Sequence, residues 1–231
     1  MHMSRRVAGV AAGAAVALGV GAPAATAAPA APAATATHAA LGAAPAASTH
    51  HHRHHAGTRS LVAVLTADKN GFDRNRKDFD ILTAAVKAVL AAKPDSPVGV
   101  LANGKVRVTA FIPNDAAFRL LVRDLTGKTL RNEADVFKAV AGLGIPTVEK
   151  VLLYHVVPGV TIPAKVVKRA NGAVLPTAAG LTVKVRVTHC GIFLQDKDPD
   201  ARNPRVVATD INKGNRQIAH AINRVLRPVD L

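Results

Sequence analysis

The hydrophobic pattern of this chain changes character near Pro158 and Gly159, and this change limits the folds that the chain can adopt. Before that point, large apolar residues recur at steps of three and four, which is typical of helices that bury one face. After it, the apolar residues between positions 181 and 187 alternate with Thr, Lys and Arg, which is typical of a half-buried strand. Helices followed by strands predict the α+β class.

Proline and capping residues place the ends of several predicted elements. Pro94 ends one helix, Asn114 or Asp115 caps the next, and Pro146 opens another. The predicted helices are residues 60–65, 78–92, 113–121, 133–143 and 146–153. The predicted strands are residues 106–112, 181–188, 192–195, 206–209 and 219–226.

Residues 1–27 have the pattern of an export signal and are not expected to belong to the fold. Arg5 and Arg6 precede an apolar stretch, residues 7–20, that is too short to span a bilayer comfortably. Small residues before position 28 provide a cleavage site after Ala27. We therefore expect a secreted, extracellular protein without a transmembrane segment.

A linker is predicted between the signal and the folded part. Residues 28–59 are mainly Ala, Pro, Thr and His, a composition that cannot bury enough apolar surface to become ordered. Residues 50–55 read HHHRHH, which is either a metal-scavenging tract or a solvated, pH-sensitive tract without a physiological metal. No fixed metal site or cofactor is predicted, and residues 60–231 are expected to form one domain.

The charge of the chain favours anionic partners. The formal net charge is +15, and from residue 60 onwards 26 basic residues face 15 acidic ones. This balance favours cell-wall or matrix polymers. Lys184 and Arg186 lie on the outward face of a predicted strand, and Lys105 and Arg107 lie on another. These residues form either a partner-binding patch or a solvated face. Nucleic acid is not expected, because the chain has no Trp and one Tyr for base stacking.

Two further motifs are assigned structural roles. Cys190 is the only cysteine, so no intramolecular disulfide forms, and we expect it to be a buried, small apolar residue beside His189 on a strand. Residues 196–200 resemble the start of a calcium loop. However, Ala201 and Val207 stand where such a loop needs Gly and Glu, so a polar hairpin loop is expected.

Three blocks occur in order along the chain: VTAFIPNDAAF at 108–118, LLYHVVPG at 152–159 and VVATDINKGNRQIAHAINRVLRP at 206–228. Together they resemble the signature blocks of fasciclin domains. The resemblance implies a wedge of two β-sheets with helices packed on one side over residues 60–231, and extracellular adhesion without chemistry or cofactor. Asn223 stands where the family usually has Asp, Arg216-Gln217 replaces its usual Asn-Gly, and residues 93–105, 131–146 and 196–204 look like enlarged loops.

The second block contains the only tyrosine, Tyr154, beside His155. Such a pair could be an acid–base site, a metal ligand set, a docking element or part of the core. We expect the two residues to enter a strand, where neighbouring side chains point to opposite faces and do not share a proton or metal. A packed, hydrogen-bonded pair or a docking site for an extracellular protein then remains, and in animal relatives this block is implicated in receptor binding.

The sequence therefore predicts a secreted, non-enzymatic adhesion protein. The candidate partner-binding residues are Tyr154, His155, Lys184 and Arg186. Metal scavenging through residues 50–55 is one alternative. An extracellular hydrolase is the other, although the domain has only Ser60 and Ser96, neither in a nucleophile-elbow context, and shows no evident acid pair.

Overall fold

A computed structural model of the protein describes residues 56–68 and 71–229. The predicted signal, residues 1–27, and most of the predicted linker, including the histidine-rich tract, lie outside the described residues. Gly57, within the predicted linker, forms a β-bridge with Asn215, and its N–H donates to the carbonyl oxygen of Gly214 at 2.8 Å.

The predicted helices are present, with some changes at their ends. They are α1 (Leu61–Leu65), α2 (Asp80–Ala92), α3 (Asp115–Thr126), α4 (Glu133–Ala141) and α5 (Ile145–Tyr154). The structure adds a short helix, α6 (Ala164–Val167), and a 3₁₀ helix at Pro97–Ala102. Asn114 caps α3, because its side-chain oxygen accepts from the N–H of Ala117 at 3.0 Å. The predicted end of this helix at residue 121 is wrong, because Leu125 extends the apolar stripe and Gly127 ends the helix with a φ of 69°.

Seven strands form two sheets. The four-stranded sheet has the order β2-β1-β7-β6 and contains β1 (Val108–Pro113), β2 (Val156–Pro158), β6 (Val206–Ile211) and β7 (Gln217–Ile222). The three-stranded sheet has the order β3-β4-β5 and contains β3 (Val174–Pro176), β4 (Thr182–Thr188) and β5 (Gly191–Gln195). The central strands β1 and β7 are parallel, and all their residues are buried. This burial explains why neither strand alternates in polarity.

The two faces of the four-stranded sheet cover two hydrophobic clusters. On one face, Ala110 and Ile112 of β1 belong to a cluster that includes the buried sides of the helices. On the other, Phe111 belongs to a cluster with Val183 and Leu194 of the three-stranded sheet. Helices therefore lie on one side of the central sheet and the second sheet on the other, in agreement with the expected α+β class.

Sequence periodicity did not predict the shortest elements. The 3₁₀ helix, α6, and β3 are only three to six residues long, which is less than two helical turns or a readable alternation. The last strand also ends at Ile222 rather than at residue 226, because it leaves the ladder and the N–H of Leu226 turns to the His155 ring at 2.9 Å.

Candidate functional site

Tyr154 is the last residue of α5 and is fully buried. It packs in the cluster between the two sheets, and its hydroxyl donates to the carbonyl oxygen of Thr182 at 3.0 Å. Burial, with the nearby Asp196 carboxylate, raises the pKa of Tyr154 to about 12. The phenol therefore stays protonated and acts as a structural hydrogen-bond donor.

His155 follows Tyr154 as the C-cap of α5 and is also buried. Its Nε2 accepts from the N–H of Leu226 at 2.9 Å, so Nδ1 carries the proton and donates to the carbonyl oxygen of Val151 at 2.7 Å. Burial lowers the pKa of His155 to about 4, which keeps the ring neutral near pH 7. The neutral ring thus joins the end of α5 to the segment after β7.

The expectation that this pair enters a strand is wrong, because Tyr154 is helical and His155 has φ −87° and ψ −5°. The two side chains nevertheless diverge. The tyrosine lies in the cluster between the sheets, whereas the histidine lines a small apolar cavity among the helices, with Phe118 and Leu121. Neither ring is accessible to a partner in this conformation, and a docking role for the pair stays a prediction.

Lys184 and Arg186 are exposed on β4, as the alternation with the buried Val183 and Val185 predicts. Lys105 and Arg107 are exposed too, but they precede β1, which belongs to the other sheet. Their expected position within a strand is therefore wrong.

Cys190 is exposed, so its expected burial is wrong. Thr188 pairs with Gly191, which leaves His189 and Cys190 as the two residues at the tip of the β4–β5 hairpin. The N–H of Cys190 donates to the hydroxyl of Thr188 at 3.2 Å. Alternation of strand residues could not reveal this, because the turn interrupts it.

The aspartate-rich loop after β5 is held by its own hydrogen bonds and by an arginine. Asp198 accepts from the N–H groups of Asp200 and Ala201 at 2.9 and 3.0 Å, and from Arg227 Nη1 at 3.1 Å. Asp196 accepts from the N–H of Arg227 at 2.9 Å. These contacts fit the polar loop that the sequence predicts.

A larger basic surface lies along α3. Arg119 and Arg123, one helical turn apart, line a groove of about 380 Å³ together with Arg76 and Arg131. A second groove of about 660 Å³ adjoins the first at Leu120. Three further arginines line it: Arg202, Arg205 and Arg224. We call these seven arginines the arginine face.

Only some members of the arginine face are neutralised. Arg119 pairs with Glu133 at 2.8 Å and Arg224 with Asp124 at 3.2 Å, whereas Arg123 is 3.6 Å from Asp124 and half exposed. The other four arginines are exposed and form no ion pair with any described residue. Sequence reasoning missed this surface because its members span positions 76 to 224. The four-residue spacing of Arg119 and Arg123 could have signalled part of it, but the predicted helix ended at residue 121, before Arg123.

A second charged feature lies beneath the helix starts, where five carboxylates meet. Asp80, Asp115 and Glu133 are the first residues of α2, α3 and α4. Oxygens of Asp78, Asp115 and Glu133 lie within 4.8 Å of one another, and the same holds for Asp73, Asp78 and Asp80. We call these five residues the acidic cluster. The sequence shows no acid pair, because the fold brings together residues from separate elements.

Within the acidic cluster, Asp115 caps a neighbouring helix. Its carboxylate accepts from the N–H groups of Asp80 and Ile81 at 3.2 and 3.0 Å, at the start of α2, where Phe79 provides no capping side chain. Burial and the adjacent carboxyl of Asp78 raise the pKa of Asp115 to about 9. Burial and the same neighbour raise the pKa of Asp80 to about 6.

Comparison with known proteins supports the resemblance seen in the sequence. The family model of the Fasciclin domain matches residues 78–228. Among solved structures, a FAS1 domain pair from the insect cell adhesion molecule Fasciclin I matches with a TM-score of 0.51 and 16% identity, over 74% of this chain and 51% of that chain. This chain thus spans about half the length of that solved chain, and the match supports the fold. No curated protein matches this chain. Among the described residues, no helix is long and apolar enough to cross a membrane.

Proposed function

Because this chain belongs to the fasciclin domain family, we propose that it is a secreted, non-enzymatic adhesion protein that binds anionic polymers through its arginine face. Fasciclin domains are typically adhesion-related, and the matched solved domain pair comes from a cell adhesion molecule. The observation that supports the polymer as partner is the concentration of arginines around two grooves on α3.

Guanidinium groups suit this task. Each presents several N–H donors in a plane and binds carboxylate or phosphate in a bidentate manner. Cell-wall and matrix polymers repeat such groups along their length, so several weak contacts act on one chain. The excess of basic over acidic residues attracts the same partners over a longer range.

The predicted organisation of the chain fits this role. In this proposal, residues 1–27 direct export and residues 60–231 form the binding domain. The serines do not support a hydrolase, because Ser60 and Ser96 accept hydrogen bonds from N–H groups at helix starts. Ser96 also donates to Glu149 at 2.6 Å.

Lys184 and Arg186 offer a second basic surface on β4, and they provide a matched control. We would compare co-sedimentation of the full chain with purified cell walls at low and high salt. The test variant carries Arg123→Glu and Arg202→Glu, and the control carries Lys184→Glu and Arg186→Glu. Both double variants change the net charge equally and alter exposed side chains.

We expect the arginine-face variant to bind about tenfold more weakly, since each exposed ion pair contributes up to about 1 kcal/mol. The β4 variant should lose much less, and high salt should weaken all three proteins. Equal losses in both variants would mean that overall charge, and not the arginine face, determines binding. Greater loss in the β4 variant would transfer the site to Lys184 and Arg186.

Two further variants separate the remaining alternatives. Replacing Tyr154 and His155 by Ala, with folding checked, should leave wall binding intact if the pair is architectural. Loss of binding in a folded variant would identify a docking site. Deleting residues 50–55 should abolish metal uptake and leave wall binding unchanged. Absence of wall binding by the unaltered protein, together with metal uptake that this deletion abolishes, would favour metal scavenging as the function.

A further inference from the structure

The acidic cluster has no role in the proposed adhesion, and three of its buried oxygens, on Asp78 and Asp80, lack hydrogen-bond partners among the described residues. We propose that the acidic cluster binds one Ca²⁺ ion where the first residues of α2, α3 and α4 meet. The two sites share the ion pair between Arg119 and Glu133, but the variants that test them change other residues, so failure of either proposal leaves the other standing.

Asp78 is the centre of the arrangement. It belongs to both groups of three carboxylates whose oxygens lie within 4.8 Å of one another. Both of its carboxylate oxygens are buried, and no N–H or hydroxyl group of the described residues donates to either; the one neighbour that can share a proton with them is the Asp115 carboxyl. A desolvated carboxylate without a partner is strongly unfavourable, so the fold leaves this group in need of a cation or a proton.

Asp80 gives a separate indication of a ligand. The residue is only 8% exposed, and its Oδ2 is buried without a hydrogen-bond partner. One of its carboxylate oxygens lies within 4.8 Å of oxygens of Asp73 and Asp78. The carboxylate that carries the unpartnered oxygen is thus a direct neighbour of Asp78.

The positive charge nearby does not balance the cluster. Among the described residues, only Arg119 forms an ion pair with it, through Glu133 at 2.8 Å. The three helix N-termini contribute roughly half a positive charge each. Together these groups supply about two and a half positive charges, fewer than the four carboxylates left when the protonated Asp115 is not counted. A divalent cation would neutralise this excess.

The ligand atoms indicate which cation fits. All are carboxylate oxygens, without the His or Cys ligands that favour zinc or copper. Calcium takes six to eight oxygens at about 2.3–2.6 Å, so oxygens on opposite sides of the ion are about 4.8 Å apart. Magnesium requires a tighter octahedron. Magnesium also keeps several waters and takes only one or two carboxylates, so a cluster of five carboxylates fits calcium better.

Binding would join three helix starts that polar contacts already connect. Asp73 donates its N–H to Glu133 at 2.7 Å, and Asp115 caps α2. A cation held by the same carboxylates would strengthen both connections. We therefore expect Ca²⁺ to raise the thermal stability of the domain by mass action on the folded state.

The test uses the full chain, washed with a chelator, in calorimetric titration with CaCl₂ and in thermal unfolding with and without Ca²⁺. Ca²⁺ avoids interference from the histidine-rich tract, because imidazole is a poor ligand for it. The test variant is Asp78→Asn, which removes the central charge but no hydrogen bond seen among the described residues. The matched control is Asp135→Asn in the first turn of α4, where the exposed carboxylate is 3.6 Å from Lys138.

We expect one Ca²⁺ per chain and a higher melting temperature with Ca²⁺ for the unaltered protein and the Asp135 variant. Asp78→Asn should lose both effects while remaining folded. If that variant does not fold, Asp80→Asn tests the same site by titration. Absence of heat and of a thermal shift at millimolar Ca²⁺ would refute the proposal, as would binding that survives both substitutions. Stabilisation by acid or by Asp78→Asn without any effect of Ca²⁺ would show that protons neutralise the cluster, which also refutes it.

Discussion

Mild acid should weaken this fold through one buried ring. Neutral His155 accepts a hydrogen bond from the N–H of Leu226 through Nε2, and protonation destroys this acceptor. In the unfolded chain the ring has a pKa near its ordinary value of about 6.5, whereas burial lowers the pKa in the folded protein to about 4. Between these values the unfolded chain binds more protons, so stability is lost as pH falls.

The size of the effect follows from the two pKa values. Each unit of difference corresponds to about 1.4 kcal/mol, so lowering the pH from 7 to 4.5 should cost about 2.5 kcal/mol at this residue. Replacing His155 by Ala should cost about 3 kcal/mol at pH 7, because it leaves the buried N–H of Leu226 unpaired and removes ring packing. The difference in stability between the two proteins should therefore shrink to about 0.5 kcal/mol at pH 4.5.

Urea unfolding of both proteins at several pH values measures this difference. Taking the difference cancels other groups that titrate in the same range. Burial lowers the pKa of His220, which adds to the loss in acid, whereas the raised pKa of Asp80 acts in the opposite direction. A difference in unfolding free energy that stays constant or grows on acidification would refute the assignment of this pH dependence to His155.

Three further predictions concern single side chains. Tyr154→Phe should lower the free energy of unfolding by about 1 kcal/mol, because the hydrogen bond to Thr182 is lost while the ring packing remains. Identical urea unfolding curves for this variant and the unaltered protein at neutral pH would contradict the prediction. Gln217→Ala should cost about 2–4 kcal/mol in the same assay, because the buried amide accepts from Leu61 and donates to two carbonyl oxygens at the 3₁₀ helix. Cys190 should react fully with a thiol reagent in the native protein, and labelling only after denaturation would disprove its exposure at the hairpin tip.

The Tyr–His block illustrates how far local patterns reach. Its apolar neighbours identify a buried segment, and the divergence of the two side chains was expected from an extended backbone. In the structure the two side chains diverge from the end of a helix instead. The residues that they bond, Thr182 and Leu226, are 28 and 71 positions away, so local spacing could not identify these partners.

Periodicity determined the helices, the alternating strand β4 and the α+β class, because these depend on neighbours within one or two turns. The three signature blocks identified the family for the same reason, since each is a continuous stretch. The arginine face and the acidic cluster required the tertiary structure. Their members span residues 76–224 and 73–133, and only helix packing and sheet pairing bring such distant charges together. Their chemistry also depends on burial, which differs between identical side chains according to what packs over them.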